Sequence, residues 1–110
     1  MNATLNPELQ KLSNEIRPIF ERYHIQKAIA FGSLARGDAT RRSDFDLILI
    51  QKTDKRFLDR YQGIFFELSK AVKDRNIELL IYTPEELLKI ADRAFITTAL
   101  REGEVIYERE

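Results

Sequence analysis

The spacing of apolar residues changes along the chain between a helical period and short unbroken runs, which predicts helices alternating with strands. A first helix should begin at Asn6 and Pro7, because Asn caps helix ends and Pro fits the first turn. Apolar residues then recur at helical intervals over residues 9–23. This pattern predicts a helix that bends near Pro18.

Short apolar runs predict the strands of a small sheet. Residues 25–31 form one such run, which ends in a turn at Gly32. The sequence TPEE at residues 83–86 matches a capping box with Pro at the first helical position. The helix that starts there either runs unbroken or breaks at residues 91–94, and Gly103 suits its cap. In all, the pattern predicts helices at 6–23, 33–36, 55–75 and 84–102, and strands at 25–31, 45–51, 77–82 and 104–107. This alternation indicates an α/β (α+β) fold, with helices packed on a small mixed sheet.

Length and composition fit one globular domain spanning residues 1–110. With 44% hydrophobic residues, a chain of 110 residues should bury roughly two-thirds of its unfolded surface. The apolar run at residues 47–50 is far shorter than the roughly 20 residues of a membrane span, and residues 1–10 lack the pattern of a signal peptide. We therefore expect a cytoplasmic protein that does not bind membranes.

Charge and cysteine content narrow the candidate chemistry. Lys plus Arg and Asp plus Glu each number 18, so no net positive field attracts nucleic acid, and we expect no direct contact with it. The chain has no Cys and a single His, which argues against a disulfide framework and a zinc site. Any metal ion should therefore be bound through oxygen ligands.

Two aspartates mark the start of the strand predicted at residues 45–51. Alternate residues of a strand share a face, about 7 Å apart along the backbone, so Asp44 and Asp46 can reach one metal site while Phe45 turns into the core. Mg²⁺ prefers such carboxylate oxygens and commonly completes its octahedron with substrate phosphates and water. The pair therefore predicts a phosphate-bearing substrate.

The turn after the preceding strand supplies groups suited to phosphate. Gly32 permits close backbone approach, Ser33 adds a hydroxyl donor, and a helix that starts here adds its positive end. Arg36 lies one short turn further on, where it can neutralise a leaving pyrophosphate. Together these parts indicate phosphoryl-type transfer, in which positioning and charge stabilisation supply most of the catalysis.

A third carboxylate would complete a two-metal site, and Glu78 is the candidate. It lies in the strand predicted at residues 77–82, on the face shared by Leu80 and Tyr82. A carboxylate inside an apolar strand is costly unless it is paired or binds a metal. We expect Glu78 to bind metal or to help deprotonate the attacking hydroxyl group.

The spacing of these residues resembles a known signature. A Gly-Ser pair at residues 32–33, ten intervening residues and the triplet Asp-Phe-Asp at 44–46 resemble the motif of the minimal nucleotidyltransferases, a branch of the DNA polymerase beta-like nucleotidyltransferase superfamily. Residues 35–37 and Ser43 also match, and the likeness extends over nearly the whole chain. The resemblance implies a nucleotidyltransferase fold.

The resemblance also implies roles for particular residues. It implies ATP as nucleotide donor, bound by Gly32, Ser33, Arg36 and Ser43, and two Mg²⁺ ions held by the catalytic carboxylates Asp44, Asp46 and Glu78. The family usually has Asp at the third position, so Glu78 is one methylene longer than expected.

Many members of this family are antitoxins paired with a HEPN-type ribonuclease toxin. The resemblance implies that this chain silences such a toxin by adenylylating a tyrosine hydroxyl near the toxin's active site. Two alternatives stay open. The chain could inhibit its partner by binding and masking it, with a slow or inactive site, or it could transfer the nucleotide to a small hydroxylated molecule.

Overall fold

A four-stranded mixed sheet carries the fold, and helices pack on both of its faces. The computed structural model describes residues 5–109, so the signal-peptide expectation for residues 1–10 lies partly outside the described residues. The elements in chain order are α1 (Pro7–Arg22), β1 (Lys27–Phe31), α2 (Ser33–Arg36), β2 (Phe45–Ile50), a 3₁₀ helix (Phe57–Tyr61), α3 (Ile64–Ala71), β3 (Ile77–Tyr82), α4 (Pro84–Ile90), α5 (Ala94–Glu102) and β4 (Glu104–Glu108). The predicted α/β arrangement is confirmed.

The order of the strands brings three strand ends together. The sheet has the order β3-β2-β1-β4, with β1 antiparallel to both of its neighbours and β2 parallel to β3. The carboxyl end of β1 therefore meets the amino ends of β2 and β3. In the register of the sheet, Phe31 pairs with Asp46, and Asp46 pairs with Glu78. The predicted carboxylates thus lie on adjacent strands at one end of the sheet.

The first face of the sheet is closed by α1 and α3, which contribute to one buried apolar cluster. Asn6 caps α1 as predicted, because its Oδ1 accepts a hydrogen bond from the N–H of Leu9 at 2.9 Å. The helix continues unbroken past Pro18. Phe20 and Phe45 are fully buried in this cluster. Burial of each such side chain stabilises the fold by about 1.5–3 kcal/mol, so this layer is the main hydrophobic core.

The second face of the sheet is only half covered. α5 packs over β1 on this side, where Ala99 and Ile48 belong to a smaller buried cluster. On β3, Leu80 packs against this cluster but remains partly exposed. The side chains of Asp46 and Glu78 lie on the same face, since alternate residues of a strand share a face. The uncovered half of the sheet therefore leaves this end accessible from solvent.

β3 forms an edge of the sheet, and a buried arginine shields its far end. Arg60 donates hydrogen bonds to both carboxylate oxygens of Glu86, at 2.6 and 2.9 Å, and to the carbonyl oxygen of Ile81 at 3.2 Å. The bond from Arg60 is the main cause of the low pKa of Glu86, which falls to about 2. The Tyr61 hydroxyl accepts the Ile81 N–H at 3.0 Å. These contacts occupy edge groups that could otherwise pair with another chain.

The extent of the predicted third helix, residues 55–75, is wrong. The segment divides into the 3₁₀ helix and α3, which ends at Ala71. Gly63 separates the two, with φ at +83°. A Cβ at this position would lie 2.6 Å from the Tyr23 hydroxyl oxygen, so glycine is needed for both conformation and space.

Other boundaries agree with the sequence or differ by short distances. The capping box at Thr83 forms as predicted, and the predicted fourth helix takes its broken form as α4 and α5. β1 begins at Lys27 rather than at residue 25, because His24, with φ at 56°, reverses the chain after α1. Gly103 ends α5 in an extended conformation, where a Cβ would lie 2.6 Å from the carbonyl oxygen of Ala99. In residues 5–109, no helix is both long and apolar enough to cross a membrane.

Candidate active site

Three carboxylates meet at one end of the sheet. Asp44 directly precedes β2, and Asp46 and Glu78 are direct partners in the register of β2 and β3. One oxygen of each carboxylate lies within 4.8 Å of the others, and no other such group of acidic or imidazole ligands occurs in the described residues. Oxygen ligands at this spacing suit a hard divalent cation such as Mg²⁺.

Glu78 differs from the prediction in its burial. The sequence placed it inside an apolar strand, where a carboxylate is costly, but the structure shows that Glu78 is exposed. β3 is an edge strand beside the uncovered half of the sheet, so the Glu78 carboxylate is exposed to solvent. The desolvation argument for Glu78 is therefore wrong, although the structure does bring its carboxylate to those of Asp44 and Asp46.

The surroundings of Asp46 in the cluster raise its pKa. Its pKa rises from 3.8 to about 6, first because it is partly buried, then because of the negative charge of Glu78, a hydrogen bond shared with Glu78, and the charge of Asp44. The positive charge of Arg36 acts in the opposite direction and lowers this pKa. Burial is the largest cause of this shift, and the charges of Glu78 and Asp44 add to it, so ionised Asp46 is partly desolvated beside other negative charges. A bound divalent cation would neutralise these charges, so the cluster fits a metal site.

Gly32 lies directly against Asp46. Its backbone angles, φ 75° and ψ −156°, fall in a region that is essentially restricted to glycine. A Cβ at this position would lie only 2.2 Å from Asp46 Oδ2. Phosphate oxygens bound at this turn would therefore be immediate neighbours of a cation bound by the carboxylates.

Ser33 opens the single turn of α2, next to Gly32. Its hydroxyl has no hydrogen-bond partner among the described residues, so it is available to a ligand. A hydrogen bond from the start of α1 holds the turn at residues 32–33 in place: the Asn6 side-chain amide donates to the carbonyl oxygen of Leu34 at 2.8 Å. Gly37 ends α2 in the left-handed conformation, and its N–H donates to the Ser33 carbonyl oxygen at 2.9 Å. The Ser33 hydroxyl is thus presented on a fixed turn.

Arg36 and Ser43, the other two residues predicted to bind ATP, both contact neighbours within the protein. Arg36 is exposed and pairs with Asp38 at 3.3 Å and Glu102 at 3.4 Å, and the hydrogen bond from Arg36 to Asp38 is the main cause of its raised pKa. Arg36 is therefore cationic, and its charge acts on Asp46 of the carboxylate cluster. Ser43 Oγ accepts the N–H of Thr40 at 2.9 Å and closes the turn that leads into β2. For both residues, contact with ATP stays a prediction.

Sequence reasoning missed Arg75. The sequence places it at the end of the predicted third helix, where an arginine is normally solvated. In the structure its side chain is only 10% exposed and contacts the turn before Asp44. The loop residues that it contacts, Thr40 and Ser43, lie 35 and 32 residues away along the chain, so no local pattern identifies it.

The pKa of Asp46 predicts how stability depends on pH in the metal-free protein. Because the folded-state pKa, about 6, lies above the ordinary value of 3.8, the folded state binds the proton more tightly than the unfolded state does. The free energy of unfolding should therefore fall as pH rises from about 4 to 6 and then level off. Asp46→Asn should remove this dependence and stabilise the metal-free protein by about 1–2 kcal/mol at neutral pH, allowing for partial exposure. Urea denaturation across this pH range measures the effect.

Asp54→Asn provides the control for this prediction, because Asp54 is exposed and follows the opposite end of β2. If the Asp46→Asn variant is no more stable than the wild-type protein at neutral pH, ionised Asp46 is not destabilised by burial and by its acidic neighbours as inferred.

Solved structures share this fold at low sequence identity. A chain in the crystal structure of a toxin–antitoxin with AMP-PNP is 19% identical, with a TM-score of 0.67 and coverage of 89% of this chain and 74% of that chain. A chain in the complex of a tri-AMPylated HEPN toxin with an MNT antitoxin from Shewanella oneidensis is 16% identical, with a TM-score of 0.62 and coverage of 92% and 73%. A chain of the toxin–antitoxin MntA-HepT is 17% identical, with a TM-score of 0.60 and coverage of 91% and 73%. At these identities the likeness shows the fold alone.

Sequence comparison identifies the family. No curated protein matches this sequence. The family model described as "Polymerase beta, Nucleotidyltransferase", however, matches residues 14–110. This match includes β1, the Gly-Ser turn and all three carboxylates. The chain therefore belongs to the polymerase beta nucleotidyltransferase family.

Proposed function

We propose that this chain transfers AMP from ATP to a hydroxyl group of a partner HEPN-type toxin, and that it acts as the antitoxin of that toxin. Membership of a nucleotidyltransferase family supports the transferase activity. The observation that carries the proposal is the contact between the two halves of the site: Gly32 of the phosphate-binding turn lies against Asp46 of the carboxylate cluster. A triphosphate and its metal ions can therefore be held together.

The carboxylates of Asp44, Asp46 and Glu78 would hold two Mg²⁺ ions, consistent with their mutual distances and the raised pKa of Asp46. When bound, Mg²⁺ neutralises the triphosphate and makes the α-phosphorus a better electrophile. The backbone of Gly32 and the hydroxyl of Ser33 would bind phosphate oxygens at the adjoining turn.

In the proposed reaction, the acceptor hydroxyl approaches across the uncovered half of the sheet. Glu78 is the most exposed of the three carboxylates, and it accepts the hydroxyl proton as the oxygen bonds to the α-phosphorus. The bond between the α-phosphorus and the bridging oxygen to the β-phosphate breaks, and pyrophosphate leaves with that electron pair. Arg36, cationic and exposed, stabilises the charge of the leaving group.

Two of the similar structures support a toxin as the acceptor. One contains a tri-AMPylated HEPN toxin in complex with an MNT antitoxin, and another contains a toxin–antitoxin with AMP-PNP. The balance of 18 cationic and 18 acidic residues gives no support to a nucleic-acid acceptor. The use of ATP is consistent with the predicted cytoplasmic location.

A direct test mixes the chain with ATP, Mg²⁺ and the product of the neighbouring open reading frame, then measures the intact mass of that partner. The partner should gain the mass of one or more AMP groups. Asp44→Asn should abolish the gain without unfolding the protein, because it removes a metal ligand on a partly exposed site and opens no cavity. A stable complex with no gain in mass would contradict transfer and favour inhibition by masking.

Substitution of Glu78 tests the proposed proton acceptor. Glu78→Gln should lower kcat by about 10²–10⁴-fold, because an amide can neither accept the proton nor bind metal as a carboxylate does. Glu78→Asp should retain part of the activity, since it keeps the carboxylate that the family usually carries. Glu85→Gln, at another exposed glutamate, serves as the control and should leave kcat unchanged. Full activity of Glu78→Gln would show that Asp44 and Asp46 suffice.

A further inference from the structure

One arginine behind the candidate site joins three parts of the chain. Arg75 Nη1 donates to the carbonyl oxygens of Thr40 at 2.8 Å and Ser43 at 2.7 Å, and Nε donates to Glu8 Oε2 at 2.9 Å. The side chain is 10% exposed, whereas that of Arg56, an ordinary surface arginine, is 92% exposed. A largely buried guanidinium is costly unless its donors are paired, and here three protein oxygens accept the N–H of Nε and both N–H groups of Nη1.

The segment that contains Arg75 fixes both peptide groups that flank Asp44. The Ser43 carbonyl, on the amino side of Asp44, accepts the bond from Arg75 at 2.7 Å. The Phe45 N–H, on the carboxyl side, donates to the carbonyl oxygen of Asn76 at 2.8 Å. The same segment leads directly into β3, which carries Glu78. Residues 75–76 therefore determine how Asp44 is placed relative to Glu78.

The turn before Asp44 has few other supports. Thr40 and Ser43 bond mainly to each other, through Ser43 N–H to Thr40 O at 3.2 Å and Thr40 N–H to Ser43 Oγ at 2.9 Å. Arg41 and Arg42 between them are exposed. Among the described residues, Arg75 therefore supplies the hydrogen bonds that tie this turn to a distant part of the chain.

We propose that Arg75 is a positioning residue, which sets the Asp44 carboxylate against those of Asp46 and Glu78 by holding the turn at residues 40–43. The inference rests on the metal site of the proposed function. Arginine suits the position because its planar guanidinium presents donors in a fixed fork, whereas lysine offers a single mobile ammonium group. Removing a group that orients a metal ligand typically lowers metal affinity by about 10–100-fold.

The test measures Mn²⁺ binding without nucleotide, by electron paramagnetic resonance, at a temperature well below the unfolding midpoint of every variant. Arg75→Gln should raise the Mn²⁺ dissociation constant by about tenfold or more. Arg75→Lys, which keeps the charge but loses the fork, should have a smaller effect. Arg56→Gln is the matched control and should bind Mn²⁺ like the wild-type protein. A role in stability alone would lower the unfolding midpoint and leave Mn²⁺ affinity unchanged.

A double-mutant cycle then shows whether Arg75 acts through Asp44. In an Asp44→Asn background, Arg75→Gln should cause little further loss of Mn²⁺ affinity, because the ligand that it positions is already absent. An equal loss in both backgrounds would overturn the proposal, as would wild-type Mn²⁺ affinity in Arg75→Gln. If Arg75→Gln does not fold, Arg75→Lys decides the question, and unchanged Mn²⁺ affinity in that variant would overturn the proposal.

This inference and the proposed function can fail separately. A chain that binds Mn²⁺, loses affinity on Arg75→Gln and yet transfers no AMP would overturn the proposed function while supporting the role of Arg75. If the wild-type chain transfers AMP but Arg75→Gln binds Mn²⁺ as tightly as the wild-type chain does, the proposed function is supported and the role of Arg75 is overturned.

Discussion

The pairing of Asp46 with Glu78 across two parallel strands is the constraint on which the rest of the structure depends. It places two carboxylates, with Asp44 beside them, in one cluster, and burial together with the charges of Glu78 and Asp44 raises the pKa of Asp46 to about 6. Such an arrangement costs free energy in the absence of a cation. The apolar layer formed by α1, α3 and the first face of the sheet offsets that cost, because it buries large side chains on the face of the sheet opposite Asp46 and Glu78.

The fold also keeps this cluster open and ordered at the same time. α5 packs mainly over β1, and this leaves the Glu78 side accessible. Order comes from hydrogen bonds behind the site: Asn6 supports the Gly-Ser turn, and residues 75–76 hold the chain on both sides of Asp44. The carboxylate cluster therefore lies on an accessible face of the sheet, while hydrogen bonds on the other side of the site fix its backbone.

Local signals in the sequence were enough to predict much of this fold. The strand at residues 77–82 and the capping box at Thr83 were predicted with the bounds observed, because a short apolar run and a capping motif are determined by neighbouring residues. Gly32, Asp44 and Asp46 were found from their spacing, and the structure brings them into contact or close proximity. Their roles in binding and catalysis remain proposals.

Features that depend on distant parts of the chain could not be predicted. The strand order decides that β3 lies at an edge, so the exposure of Glu78 was invisible in its own apolar strand. Gly63 lies against the Tyr23 hydroxyl, and the low exposure of Arg75 depends on a turn more than 30 residues away. The register that makes Asp46 and Glu78 direct partners also depends on distant parts of the chain. The most direct measurement of the central claim is anomalous diffraction from crystals grown with Mn²⁺ and a non-hydrolysable ATP analogue. We predict anomalous peaks among the carboxylates of Asp44, Asp46 and Glu78, with the triphosphate against the turn at residues 32–33; ordered nucleotide bound elsewhere, with no peak at these carboxylates, would contradict the account.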